Sequence, residues 1–179
     1  GYTLDKDLFI TGQAADQTII QASSTINSAN RRVFTVSTGV STTFSNVTIQ
    51  YGKLTGSTDS GGGISTGGPM TIINSEIRFN SSTAYFGGGI YSSSQDYLRI
   101  SGTTIANNMA YYGGGGVSFF STSTGQLYIT NSTIYNNTRT ATTGNTEGAG
   151  INIWNGSGTF TNVTITGNRA PNGSGNCGF

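Results

Sequence analysis

With no histidine in its 179 residues, the chain offers seven carboxylates as candidates for acid–base chemistry: Asp5, Asp7, Asp16, Asp59, Glu76, Asp96 and Glu147. Hydrolysis of a glycosidic bond needs two carboxyl groups about 5–10 Å apart, and a calcium-assisted elimination needs a cluster of acids beside a base. The seven are scattered instead. Asp5 and Asp7 share one strand face near the start of the chain, and beyond them no two acids fall at equivalent places of neighbouring repeats. Glu76 and Arg78 flank Ile77, so on a strand both point outward and form a surface ion pair contributing under about 1 kcal/mol. The glycine runs Gly61-Gly62-Gly63, Gly87-Gly88-Gly89 and Gly114-Gly115-Gly116 suggest phosphate loops, but each leads into a strand and offers no helix N-terminus. Gly52-Lys53 lacks both the earlier glycine and the following Ser or Thr of a P-loop. Without histidine there are no His-based triads and no His-ligated metals. The expectation is a chain that is not an enzyme and carries no cofactor or metal.

Composition narrows the remaining classes. Only 8% of residues are charged, where a typical globular domain has roughly 25%, and Gly supplies 28 positions. Helical bundles need the Glu, Lys, Ala and Leu that are scarce here. A net charge of +1 carries no concentrated basic patch for nucleic acid or anionic membrane. No apolar run reaches the roughly 18 residues of a membrane span. The apolar residues nevertheless recur in short β-branched clusters, which argues for a fold over disorder. A lone Cys177 forms no intrachain disulfide. With neither an initiating Met nor a signal peptide, residue 1 reads as a mature or trimmed start.

The element that must position any site is a repeat. An apolar residue followed five positions later by Ile recurs as Phe44/Ile49, Ile72/Ile77, Ile100/Ile105, Ile129/Ile134 and Phe160/Ile165, at a period of about 28 to 31 residues. Two polar columns flank these pairs: Asn46, Asn74, Gly102, Asn131, Asn162 on one side and Gly52, Asn80, Asn108, Asn137, Asn168 on the other. Glycine-rich openings, Gly61 to Ile64, Gly87 to Ile90, Gly114 to Val117 and Gly148 to Ile151, precede copies two to five. Three short strand signals per period, separated by Gly, Ser or Asn corners, predict an all-β parallel β-helix of five to six coils. At about 4.8 Å per coil the rod is roughly 25–30 Å long. Inward positions then stack as columns of like residues, with Ile49, Ile77, Ile105, Ile134 and Ile165 as the clearest. Asn suits the corners, since it tolerates the left-handed region and its amide can bond the Asn one coil above. A single domain over 1–179 divides into irregular coils at 1–43, regular repeats at 44–170 and the start of an incomplete coil at 171–179. The Thr column Thr48, Thr104, Thr133, Thr164 is interrupted by Glu76 and reads as β-propensity, not as an ice-binding face.

These motifs resemble the polymorphic outer-membrane-protein type repeats of secreted bacterial right-handed β-helix proteins, which pair a Gly-Gly-Ala-Ile-like tetrapeptide with a Phe-x-x-Asn tetrapeptide. The first corresponds to residues 61–64, 87–90, 114–117 and 148–151. The second corresponds to Ile77–Asn80, Ile105–Asn108, Ile134–Asn137 and Ile165–Asn168, with Ile in place of Phe. The resemblance covers about residues 44–170, and it implies a right-handed β-helix in a surface or secreted role that is structural, adhesive or carbohydrate-associated.

Three sets of residues stand out as candidate contacts. Tyr85-Phe86 and Tyr111-Tyr112 precede glycine runs in consecutive copies and should stack into an aromatic ladder that, if exposed, suits sugar rings or a partner. Sequons, hardly more numerous than chance supplies in so Asn-, Ser- and Thr-rich a chain, make Asn155, Asn172, Asn80 and Asn136 the glycosylation candidates. At the ends, Leu8-Phe9-Ile10 and Cys177 with Phe179 are candidates for intersubunit contact, since an open terminal coil exposes unpaired backbone and core. The expected function is a non-enzymatic extracellular or cell-surface β-solenoid, structural or adhesive, associating end to end into filaments or contacting a host or cell surface. The alternative is a carbohydrate-binding or carbohydrate-active β-helix.

Overall fold

A computed structural model describes residues 1–122, 124–142 and 147–171. Short runs rich in Ile, Val and Thr form strands β1 to β20, each paired in parallel with its equivalent one coil away, and among the described residues there is no helix. Coil one holds β1 (Tyr2–Leu4), β2 (Leu8–Thr11) and β3 (Ile19–Gln21). Coil two holds β4 (Phe34–Val36), β5 (Thr42–Ser45), β6 (Thr48–Gln50) and β7 (Lys53–Leu54). Coil three holds β8 (Ile64–Thr66), β9 (Met70–Ile73), β10 (Glu76–Arg78) and β11 (Ser81–Ser82). Coil four holds β12 (Ile90–Ser92), β13 (Tyr97–Ser101), β14 (Thr104–Ala106) and β15 (Met109–Ala110). Coil five has β16 (Val117–Phe120), β17 (Gln126–Tyr135) and β18 (Thr138–Arg139), and coil six has β19 (Ile151–Trp154) and β20 (Ser157–Thr166).

The first face is the sheet β1-β4-β8-β12-β16-β19. β2, β5, β9 and β13 build the second face and β3, β6, β10 and β14 the third, with β17 and β20 running through the corner to serve both. To the three strands per coil foreseen in the sequence the structure adds a fourth of two residues, in the sheet β7-β11-β15-β18. Two-residue strands leave no periodicity to read, so only the tertiary pairing reveals them.

The predicted register holds. Ile20, Ile49, Ile77, Ile105, Ile134 and Ile165 are partners in successive coils, and the four from Ile49 to Ile134 are fully buried. Thr48, Glu76, Thr104, Thr133 and Thr164 align beside them as expected. Asn46, Asn74, Asn131 and Asn162 occupy one corner with φ of 56°, 45°, 48° and 53°, and Gly102 completes that column at 58°. The second polar column does something different. There the left-handed residue is the one before it, Tyr51, Phe79, Asn107, Asn136 or Gly167, and Asn80, Asn108 and Asn137 turn inward to at most 1% exposure. Asn80, Asn108 and Asn137 each donate Nδ2 to the next Asn Oδ1, at 3.1, 3.0 and 3.0 Å. Each Oδ1 of this column also accepts the backbone N–H of the preceding member, from Gly52 to Asn137, at 2.9–3.0 Å. A buried amide is tolerated because all its partners are present.

At coil one the inward side chains have no described neighbour on their outer side: Tyr2 is 62% exposed, and Leu8, Ile10 and Ile20 are half-buried. Phe9, 83% exposed, alternates with Leu8 and Ile10 and therefore stands on the side wall, not over the open end. Cys177, Phe179 and Asn172 lie outside the described residues.

Candidate functional site

On the first face the outward positions line up as Thr35, Ser65, Tyr91, Ser118 and Asn152, one per coil. Strand alternation sends Ser118 and Phe120 outward while Val117 and Phe119 enter the core. The same alternation places Trp154 beside Phe120, their ring centroids 6.0 Å apart. At the opposite end of these strands the chain enters through the glycine runs. Gly87 takes φ 65°, and Gly87, Gly88 and Gly89 donate to Gly113, Gly114 and Gly115 carbonyls at 2.9–3.1 Å. That close backbone stacking brings the residues just before each run to the edge of the face.

Between these two edges lies a recess of about 220 Å³ lined by Tyr85, Phe86, Tyr91, Ser118, Phe120, Asn152 and Trp154. Tyr85 and Phe86 form one wall, edge to face at 4.9 Å. The predicted aromatic ladder exists: Tyr112 packs on Tyr85 at 5.9 Å and on Phe86 at 5.4 Å, with Tyr111 against Tyr112 at 4.8 Å. Of its members only Tyr85 and Phe86 line the recess. Phe120 and Trp154 form the far wall, with Trp154 43% exposed. Ser118 and Asn152 sit between the walls, and their side chains make no hydrogen bond with any described residue. Burial, with a smaller contribution from Tyr85, pushes the Tyr91 phenol up, so it stays a neutral hydroxyl able to donate and accept.

Glu147 stands at the margin. A Cβ placed on Gly113 would lie 3.2 Å from Glu147 Oε2 and 3.4 Å from Asn152 Nδ2, so carboxylate and amide flank the same bare backbone. Burial pushes the Glu147 carboxyl up, and Arg139 partly offsets this. Arg139 itself is buried at 2% exposure, donating from Nη2 to the Ala141 carbonyl at 3.3 Å while its Nε and Nη1 have no partner among the described residues.

The chain belongs to the right-handed β-helix family. The family model for a right-handed β-helix region matches residues 8–174, which also gives the hand of the coils. No curated protein and no solved structure matches the chain.

Elsewhere on this β-helix the acids behave mostly as the spacing implied. Glu76 and Arg78 pair at 3.1 Å, and Arg78 Nε also donates to Gln50 Oε1 at 2.9 Å. Asp7 accepts the Ser41 backbone N–H at 2.8 Å, and Asp59 lies 3.8 Å from Arg32. One juxtaposition was invisible in the sequence: the loop before β3 carries Asp16 into the same open groove as Glu76, of about 670 Å³. Glu76 is already engaged by Arg78 there. Among the described residues no three His, Cys, Asp or Glu side chains gather as a metal site. Of the glycosylation candidates Asn155 and Asn136 are exposed. Asn80 is withdrawn, because its amide is buried in the ladder with donor and acceptor both engaged.

Sequence reading missed Tyr91, Ser118, Phe120, Asn152 and Trp154. A signal existed: Phe120 and Trp154 follow the opening Val117 and Ile151 by three residues, and Tyr91, Ser118 and Asn152 follow the opening Ile90, Val117 and Ile151 by one.

Proposed function

We propose that this β-helix is a non-catalytic, surface or secreted scaffold that binds carbohydrate through the first-face recess. The observation that carries this reading is a pair of polar side chains with no hydrogen-bond partner among the described residues, Ser118 and Asn152, held beside Tyr91 between aromatic walls built from Tyr85, Phe86, Phe120 and Trp154. A pyranose presents an apolar C–H face and a rim of hydroxyls, and such a site meets both: rings for the face, hydroxyl and amide for the rim. A rigid stacked sheet holds these groups without ordering a loop, which lowers the entropic cost of binding. Location outside the cell accords with the resemblance to polymorphic outer-membrane-protein type repeats. Calorimetric titration of a panel of oligosaccharides, with reducing-end release assayed on the same mixtures, tests the reading. Binding that is lost in Trp154→Ala and unaccompanied by bond cleavage is expected, and cleavage would make the protein an enzyme.

A second reading, end-to-end association, is favoured by coil one, where Tyr2, Leu8, Ile10 and Ile20 present apolar surface that no described residue covers. Sedimentation velocity over a wide concentration range tests it, and a monomer throughout removes it.

A further inference from the structure

Resting on the carbohydrate reading of the recess, we infer that this site takes neutral pyranoses and rejects uronates. The lining contains aromatic rings, the hydroxyls of Tyr85, Tyr91 and Ser118 and one amide, that of Asn152, with no Lys or Arg among them. A sugar carboxylate seated there would lose water without gaining a cationic partner, and an unpaired charge moved out of water costs far more than a hydroxyl does. The carboxylate at the margin has the same sign as a uronate: Glu147, whose Oε2 is buried with no hydrogen-bond partner among the described residues and shares the Gly113 backbone with Asn152. Buried Arg139 offsets part of that charge, yet it is not among the groups lining the recess.

Extent fits as well. Tyr91, Ser118 and Asn152 belong to three successive coils, so the floor spans two rungs, about 10 Å. With walls at both ends of the strands, a recess of about 220 Å³ accommodates one or two hexose rings, not a long polymer lying lengthwise in a groove. The Asn152 amide and Tyr91 hydroxyl can each donate and accept, which matches vicinal sugar hydroxyls.

Trp154 is the only tryptophan in the chain, so its emission reports this recess directly. It does not report the exposed Arg99, whose guanidinium stacks on Tyr97 at 4.0 Å and Tyr128 at 5.4 Å on the second face. The experiment titrates the intact protein with neutral β-linked glucose and N-acetylglucosamine oligomers and, separately, with oligogalacturonate of matched length, following Trp154 fluorescence. A saturable change with a neutral oligomer, and a response to the uronate at least about tenfold weaker, is expected. Glu147→Gln should narrow that gap several-fold by raising uronate affinity while leaving neutral affinity nearly unchanged. Uronate binding as tight as neutral binding would overturn the inference and leave carbohydrate binding standing. No fluorescence change with any sugar would overturn both.

Discussion

Two polar regions of the molecule look alike in composition and behave in opposite ways. At the corner between the third face and the short fourth strands, Asn80, Asn108 and Asn137 have each amide donor and acceptor matched to a neighbour one coil away. On the first face, Ser118 and Asn152 have none matched among the described residues, and rings of Tyr, Phe and Trp surround them. The ladder is a structural device whose hydrogen bonds are complete without a ligand. The recess is the region whose bonding capacity is left over after folding. The difference teaches that side-chain type alone does not mark a site; what marks it is whether the fold itself satisfies the group.

The sharpest way to break the contrast is Asn108→Asp. It removes both donations, to Ile77 O at 2.9 Å and to Asn137 Oδ1 at 3.0 Å, and puts a carboxylate where exposure is 1%. A loss of about 3–5 kcal/mol is expected from urea denaturation midpoints, with sugar affinity intact in the fraction that remains folded. Ile105→Ala, in the fully buried column beside the ladder, should cost about 2–5 kcal/mol. An unchanged thermal midpoint would mean that the column does not form the core. Trp154→Ala acts on the other region. Sugar affinity should fall about tenfold or more while stability changes by less than about 1 kcal/mol, read by calorimetry on the same preparation.

The smallest effect belongs to Glu147. Its carboxyl is raised in the folded protein above the ordinary value of 4.5, so the folded state holds the proton more tightly than the unfolded chain. Its contribution to stability is therefore greatest in acid and falls as pH rises from the ordinary carboxyl range through the raised folded value, then levels off. Denaturation midpoints measured from about pH 4 to about pH 7 should show that fall in the wild type and a shallower one in Glu147→Gln. A steeper fall in the variant would show that Arg139, not burial, dominates at this carboxyl.

The coils were legible in the sequence because a solenoid turns sequence period into spatial adjacency: residues one period apart become neighbours at the strand spacing of about 4.8 Å. The Ile column, the left-handed Asn corners, the glycine openings and the Glu76–Arg78 pair all follow from that one translation. Contacts within one repeat unit and its image are thus decided by local residue choice. The recess follows a different rule. Its walls come from the turn before β12 and from the ends of β16 and β19, so the aligned columns are readable but not the fact that they meet around one recess. Nor could composition reveal that Asn80 is buried and engaged while Asn152 is half-exposed and without a partner among the described residues, or that Arg139 is buried. Those outcomes depend on which way each side chain leaves the backbone and what lies one coil above it. Only the closed, stacked chain decides that, because desolvation and hydrogen-bond matching are properties of the surroundings, not of the residue.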